Sequence, residues 1–318
     1  MLKTDIAGGR VLVTGASGFI GSHLCRRLMQ LGCEIHSVSR KPGKSEDGVR
    51  CWMADMADFD AVRRIVSLVR PKWIFHLASE VTGERSPQVV LPTFQSNLAS
   101  TVNLLTSAAE TQCRRIVLAG SLEESDDAQM TPCSPYAAAK SASSAYARMF
   151  HALYHLPVVT ARLFMVYGPG QRDLKKLIPY VTLCLLRGES PQLGSGQRPV
   201  DWIYVSDVVE GLLATAAAPN IDGATVELGS GTLVTVRSVV ETLAGLVSSP
   251  PKPAFGARPD RPMERIRHAQ VAATQGLISW KPEVTLNDGL RKTVEWYREQ
   301  LVISQFQVSQ SKPTNSCV

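Results

Sequence analysis

Apolar positions along the chain fall into short unbroken runs, and the runs are separated by stretches with helical spacing. Val11, Leu12, Val13 and Thr14 form a run of the buried-strand kind that stops at Gly15. Ile20, Leu24 and Leu28 then recur at helical intervals, with Arg26 and Arg27 on the opposite side. Strand, glycine turn and helix start thus follow one another between Arg10 and Leu24. Glu34 to Val38 reads as a second strand and Cys51 to Ala54 as a third, after which Asp55 precedes a helix ending near Val69. Lys72 to Ala78 and Arg114 to Gly120 give the fourth and fifth strands. Between them Asn97 to Glu110 reads as a helix with Leu98, Val102, Leu105 and Ala109 on one face. Strands alternating with helices predict an α/β fold, a mostly parallel, doubly wound sheet covered on both faces. No internal repeat or low-complexity segment interrupts the pattern, and only about Ser304 to Val318 reads as a flexible tail.

The glycines of the first turn fall at Gly15, Gly18 and Gly21, a GxxGxxG spacing between a strand and a helix. One glycine permits the tight turn, one lets backbone N–H groups approach a pyrophosphate, and one lets helix and strand pack closely. The helix N-terminus, with Ser17, Phe19 and Ile20 around it, presents free N–H groups and a positive dipole end to an anion. This predicts a Rossmann dinucleotide site. A carboxylate at the end of the second strand would bind the ribose of NAD, but the chain has Ser39, Arg40 and Lys41 there. Arg40 suits a 2′-phosphate, so NADP(H) is favoured over NAD(H); the alternative is that both cations are solvated loop charges. Asp55 is placed either to meet the adenine amine or to cap the following helix.

With 318 residues, the chain suits one large domain or a nucleotide domain with a smaller companion. Its net charge of +6 is spread without a run of five like charges, which gives no indication of nucleic-acid binding. No apolar stretch reaches about 18 residues, and Met1 to Gly9 has no signal-peptide core, so no membrane partner is expected. Seven cysteines without a CxxC pair point to a reduced, cytoplasmic protein and give no metal site. His76 lies inside an apolar strand and reads as a satisfied core histidine. Cys133 reads as a packing thiol, and the Tyr146, Phe150, Tyr154 stripe as core or subunit interface.

Chemistry concentrates after the fifth strand. Ser121 ends it, and Tyr136-Ala-Ala-Ala-Lys140 opens a strong helix-forming stretch behind Pro135. Tyr136 and Lys140 are i and i+4 on one helix face. A phenol with a pKa near 10 is a poor base at neutral pH, and a neighbouring ammonium stabilises its phenolate. Ser121 can hydrogen-bond the same substrate oxygen, so the three side chains suit proton transfer beside a hydride-carrying nicotinamide.

These segments, with GASGFIGSHL, FHLAS (Phe75 to Ser79), NLASTVNLL (Asn97 to Leu105), SPYAAAK (Ser134 to Lys140), ARLFMVYGPGQ (Ala161 to Gln171) and DWIYVSDVVEGLL (Asp201 to Leu213), resemble the extended short-chain dehydrogenase/reductase family over nearly the whole chain. The likeness is to its nucleotide-sugar epimerases, dehydratases and 4-keto reductases. It implies Tyr136 as acid/base, Lys140 as its partner and a nicotinamide-ribose ligand, and Ser121 as orienter. Cofactor contacts from Met56, Leu77, Ala78, Ser79 and Asn97 are also implied. So are a substrate-diphosphate Arg at Arg258 and further substrate contacts from Glu80, Met165 and Arg198. The resemblance further implies a Rossmann domain over residues 1–166 and a smaller C-terminal α/β substrate domain over 167–303, some of whose segments return to the first. A tail over 304–318 and a homodimer through the helices starting near Asn97 and Tyr136 complete it.

Glu123 matches a Glu that removes a sugar proton in the dehydratases, but Leu122 stands where those enzymes often carry Asp. The alternative is a solvated or hydroxyl-binding carboxylate. Two departures touch the diphosphate side: Met165 falls within FMVYGP, which lacks the family's usual Asn, and Val200 replaces an Arg before Asp201. Only fifteen positions separate Ser121 from Tyr136, which predicts a short loop and an open pocket. The leading expectation is an NADP-dependent oxidoreductase that reduces a 4-keto group at C4 of a nucleotide-diphosphate sugar. The alternatives are a redox-neutral 4-epimerase or 4,6-dehydratase with tightly bound cofactor, a ketoreductase for another substrate, and a non-catalytic NADP sensor.

Overall fold

In the computed structural model, which describes residues 5–40, 48–125, 127 and 130–310 (side chains as far as 303), every apolar run of the first half becomes a sheet strand. In chain order these are β1 (Arg10–Thr14), β2 (Glu34–Ser39), β3 (Val49–Met53), β4 (Trp73–His76), β5 (Arg115–Ser121) and β6 (Val158–Leu163). β7 (Met165–Tyr167), β8 (Pro199–Tyr204), β9 (Thr225–Leu228) and β10 (Leu233–Thr235) follow. The large sheet is seven-stranded in the order β3-β2-β1-β4-β5-β6-β9, and every pairing in it is parallel. β10, β8 and β7 form a separate three-stranded sheet.

Side chains alternate across a strand, and both faces of the large sheet are covered. Val11 and Val13 of β1 pack with Phe75 and Val117 beneath α1 (Phe19–Gln30), which buries Leu24 and Leu28 there. Leu12 points the other way, to Ile74 and Ile116 and to Val62 and Val66 of α2 (Phe59–Val69). A strand buried on both sides has no polar alternation, so its sequence reads as a continuous apolar run. A third core, with Tyr167, Ile178, Trp202, Val239 and Leu290, fills the smaller lobe.

The chain switches from one side of the sheet to the other between β1 and β4, which opens a crevice at the carboxyl ends of these strands. β9 returns to the large sheet beside β6 after the chain has passed through the small lobe.

Several boundaries differ from the sequence pattern. The helix read from Asn97 begins earlier: a short turn Pro87–Val89 leads into α3 (Val90–Thr93), a π-helical turn Phe94–Ala99, and α4 (Ser100–Ala109). Pro92 and polar Gln95 and Ser96 break the apolar period there. The π turn places Asn97 inside the protein, 1% exposed. Asp58, not Asp55, caps α2 by accepting from Ala61 N; Asp55 accepts from Ala57 N at 2.9 Å in the preceding turn. The helix that carries Tyr136 and Lys140, α5 (Pro135–Tyr154), starts with Ser134 as its cap and Pro135 at its first turn.

α6 (Leu177–Leu186), α7 (Val205–Ala217), α8 (Val236–Gly245) and α9 (Val271–Ile278) precede the last helix, α10 (Leu286–Gln310). α10 continues past Ser304, where the sequence reading began a flexible tail; residues 311–318 lie outside the described ones. Among the described residues no helix is long and apolar enough to cross a membrane, and none of the six cysteines there forms a disulfide.

Candidate active site

The glycine turn at the carboxyl end of β1 is sterically specified. Gly15 has φ +73°, and a Cβ on it would stand 2.7 Å from the backbone N of Ala78. A Cβ on Gly21 would stand 2.1 Å from the carbonyl oxygen of Gly15, so helix and turn meet backbone to backbone. Gly18 donates its N–H to Gly15 O at 3.0 Å and caps α1 without any side-chain hydrogen bond. The N–H groups at Phe19, Ile20 and Gly21 therefore open toward the crevice, beside exposed Ser17 and Gly18. That cradle fits a pyrophosphate, the chemistry a dinucleotide brings.

The rim residues divide. Arg40 is exposed at the end of β2, and Asp55 is exposed at the end of β3; Lys41 lies outside the described residues. Met56 turns into the core, 8% exposed, while its carbonyl accepts from Asn103 Nδ2 at 3.1 Å. Leu77, Ala78 and Ser79 follow β4 into the crevice, half-buried. Asn97 does not face it. Its Oδ1 accepts from Ser79 Oγ at 2.9 Å and from Glu80 N at 2.7 Å, and its Nδ2 donates to Glu80 O at 3.1 Å. Asn97 thus holds the loop that holds the crevice.

His76 connects this loop to the glycine turn. Its Nδ1 is 2.7 Å from Thr14 Oγ1 and its Nε2 is 3.1 Å from Thr101 Oγ1. Thr101 donates to Asn97 O at 2.6 Å, so its oxygen must accept from His76, which assigns the ring proton to Nε2. Burial lowers the imidazole pKa to about 3, and Lys140 adds to the effect. A neutral, fully bonded core histidine is what the sequence pattern predicted.

Ser121 and Tyr136 come together across the ends of β5 and α5, where the Ser121 and Ser79 side chains both favour the ionised form of the Tyr136 phenol. Tyr136 is 8% exposed and Lys140 5%. The Lys140 ammonium donates to the carbonyl of Ala119 at 2.8 Å and lies 5.9 Å from the centroid of the Tyr136 ring. Burial, more than any neighbouring charge, sets the proton affinity of the phenol in this structure. Burial pushes the Tyr136 phenol upward, the Ser121 hydrogen bond opposes it, and the charges of Glu123 and Glu124 raise it further. Burial also brings Lys140 down to about 8.

Glu123 is half-buried and fixed: Ser134 Oγ donates to its Oε2 at 3.2 Å and Cys133 Sγ reaches the same oxygen at 3.7 Å. Its backbone N–H donates to Ser121 Oγ at 3.2 Å. Leu122, by contrast, turns into the core, 8% exposed.

From Tyr136 and Glu123 a cleft of about 670 Å³ runs between the two lobes. Met165, Arg198 and Arg258 line it, as does Val200, but Glu80 is not among its lining residues. Glu80 is exposed, and its backbone N–H and carbonyl are both bonded to Asn97. Arg198 is already paired with Glu264 at 2.8 Å, and Arg258 lies over the Tyr180 ring at 5.5 Å. The sequence reading missed Lys175, Lys176 and Arg261, which line the same wall. Arg261 packs so close to Gly83 that a Cβ there would meet its guanidinium at 2.4 Å. It also missed Glu124, 1% exposed behind Ser121. Only the LysLys and ARPDR clusters, recurring where the small lobe begins and ends, carried a signal for these cations.

Comparison with known proteins agrees with this geometry. A model described as the NAD dependent epimerase/dehydratase family matches residues 11–229. A UDP-glucose 4-epimerase of Mycolicibacterium smegmatis is 31% identical over 317 residues, covering 92% of this chain and 99% of that one. A probable dTDP-glucose 4,6-dehydratase of Sinorhizobium fredii is 30% identical over 327 residues, covering 91% and 93%. Among solved structures, the UDP-glucose 4-epimerase of Thermotoga maritima with UDP-glucose superposes with a TM-score of 0.84 at 26% identity, covering 92% of this chain and 99% of that one. MoeE5 in complex with UDP-glucose and NAD superposes with a TM-score of 0.80 at 31% identity, covering 92% and 100%.

Proposed function

The chain belongs to the NAD-dependent epimerase/dehydratase family, and from that premise we propose that it is a 4-epimerase of a nucleotide-diphosphate hexose, redox-neutral overall. The observation that carries the reading is the pairing of a complete Ser121, Tyr136, Lys140 cluster with a buried Leu122. Elimination of water across C5 and C6 needs an acid for the leaving hydroxyl as well as a base. The residue beside Glu123 that would stand nearest is an alkyl chain turned into the core. Chemistry confined to C4 needs only one proton shuttle, which Tyr136 provides.

Bound at the glycine turn, NAD would supply the hydride acceptor and donor at C4. Gly15, Gly18, Phe19, Ile20 and Gly21 would hold its pyrophosphate, with Lys140 and Ser79 near its reactive end. Tyr136 takes the proton of the C4 hydroxyl during oxidation and returns it after the keto sugar has turned over. Ser121 orients that oxygen, and Lys140 supplies positive charge while the phenol is ionised. Glu123, anchored by Ser134 and Cys133, accepts a hydroxyl of the sugar next to C4. Arg258, Lys175, Lys176 and Arg261 offer positive charge to the diphosphate, in place of the Arg that Val200 replaces. The relatives that act on UDP-glucose support UDP as the nucleotide.

A homodimer is part of the proposal. Leu91 and Phe94 on one helical segment and Tyr146, Leu153 and Tyr154 on α5 are exposed by 40% or more, an apolar set suited to a partner subunit. The scattered cysteines, with no CxxC pair, support a reducing, cytoplasmic compartment.

Arg40 favours a second reading, NADPH-dependent reduction of a 4-keto sugar, because it stands exposed at the β2 end, directly after Ser39. Incubation with UDP-glucose and no added cofactor separates the two. Appearance of UDP-galactose on anion-exchange chromatography supports the epimerase. Absence of product, with loss of 340 nm absorbance when NADPH and a 4-keto-6-deoxyhexose nucleotide are supplied, supports the reductase. The relatives are enzymes, so the non-catalytic sensor is set aside.

A further inference from the structure

Behind the reacting face, β5 and α5 enclose a carboxylate for which the chemistry above has no use. Glu124 is 1% exposed. Its Oε1 accepts the backbone N–H of Ser121 at 2.7 Å, and its Oε2 accepts Ser144 Oγ at 2.8 Å. Arg162 of β6 brings Nη2 to 3.8 Å from Oε2 and shares its other end with Glu227 of β9 at 2.9 Å. The Glu124 carbonyl accepts from Arg265 at 2.9 Å and Arg267 at 3.3 Å. Gly120 leaves the room this requires, since a Cβ there would come within 2.7 Å of Oε1.

Burying a carboxylate is costly, and an apolar side chain of similar size is often the more stable choice. What an apolar residue could not do here is fix a backbone N–H and place negative charge near Lys140. The Lys140 ammonium is itself buried, and it donates a hydrogen bond to a neutral carbonyl, that of Ala119. Among the described residues, the titratable groups coupled to it are Glu124, His76 of β4 and the phenol of Tyr136. His76 is neutral and Glu123 is occupied by Ser134 and Cys133, leaving Glu124 as the acid that favours the ammonium.

We propose that Glu124 is a positioning residue: its carboxylate clamps the Ser121 backbone at the reacting face and keeps Lys140 charged during turnover. The proposal rests on Ser121, Tyr136 and Lys140 being the reacting group, whichever C4 reaction they serve.

The test is the pH dependence of kcat for the Glu124→Gln enzyme. The amide keeps an acceptor for Ser121 but removes the charge. For UDP-glucose, kcat should fall on the order of tenfold with KM within about twofold. The alkaline limb should move down by about one pH unit, because Lys140 then loses its proton more readily. An unmoved alkaline limb overturns the proposal. If Glu124→Gln fails to fold, Ser144→Ala decides: it removes a donor, raises the proton affinity of Glu124, and should move the acid limb upward. Limbs unchanged in that variant overturn the proposal equally. Wild-type enzyme inactive on UDP-glucose but active on a 4-keto sugar with NADPH overturns the epimerase reading alone, and the same two limbs are then read with that substrate.

Discussion

Tyr136 and Lys140 stand one turn apart on α5, with the ammonium 5.9 Å from the centroid of the phenol ring. Both groups are buried, and burial drives both toward their neutral forms, the phenol upward and the amine down to about 8. Both groups thus lean toward their neutral forms, and the charge on the amine is easily lost.

This sets a pH dependence. Lys140 is charged below its pKa of about 8 and neutral above it. A neutral amine cannot stabilise a phenolate, so kcat should fall as pH rises through about 8. Lys140→Arg stays charged throughout, so its alkaline limb should lie higher by at least about one pH unit, while its rate at pH 7 is reduced by the bulkier head. A pH profile of both proteins checks this.

Tyr136→Phe removes the proton shuttle while leaving the ring in place. Turnover should drop by about 10²–10⁴-fold, the usual contribution of a positioned acid/base group. The melting temperature should change little, since the ring keeps its packing.

At the glycine turn, Gly15→Ala should release the cofactor and destabilise the fold. The alanine would have to adopt φ +73° and push its Cβ to 2.7 Å from Ala78 N. Strain of this kind costs on the order of 1–3 kcal/mol. Thermal melts measure the cost, and mass spectrometry of the native protein measures the retained dinucleotide.

Most of the large sheet was legible in the chain, because strands buried on both faces such as Val11 to Thr14 leave an unbroken apolar signal. Ser121, Tyr136 and Lys140 were legible because helix spacing and strand ends fix their meeting. The burial of Asn97 was not legible, because a π turn sets it and no apolar period encodes such a turn. Glu124 was invisible for a different reason: beside Glu123, in a short polar stretch, a charged residue reads as solvated. Its burial depends on Ser144, Arg162 and Arg265, which only folding brings near. Lys175, Lys176 and Arg261 likewise reach the cleft through the small lobe, far along the chain from Tyr136.

Asn97→Ala should uncouple the loop from the helix. Glu80 N and O and the Ser79 hydroxyl would all lose their partner. A fully buried group left unpaired costs about 1–3 kcal/mol, and these partly buried ones should each cost less. The freed Ser79 should also reduce kcat, because it no longer supports the Tyr136 hydroxyl. Denaturant melts and steady-state kinetics read the two effects separately.

The most direct test uses UDP-glucose carrying deuterium at C4, with no nicotinamide added to the buffer. Hydride leaving and returning to the same carbon should give UDP-galactose that retains the deuterium at C4 in full. Product with hydrogen from water at C4, or no epimer at all while NADPH is consumed one-for-one by a 4-keto sugar, would contradict it.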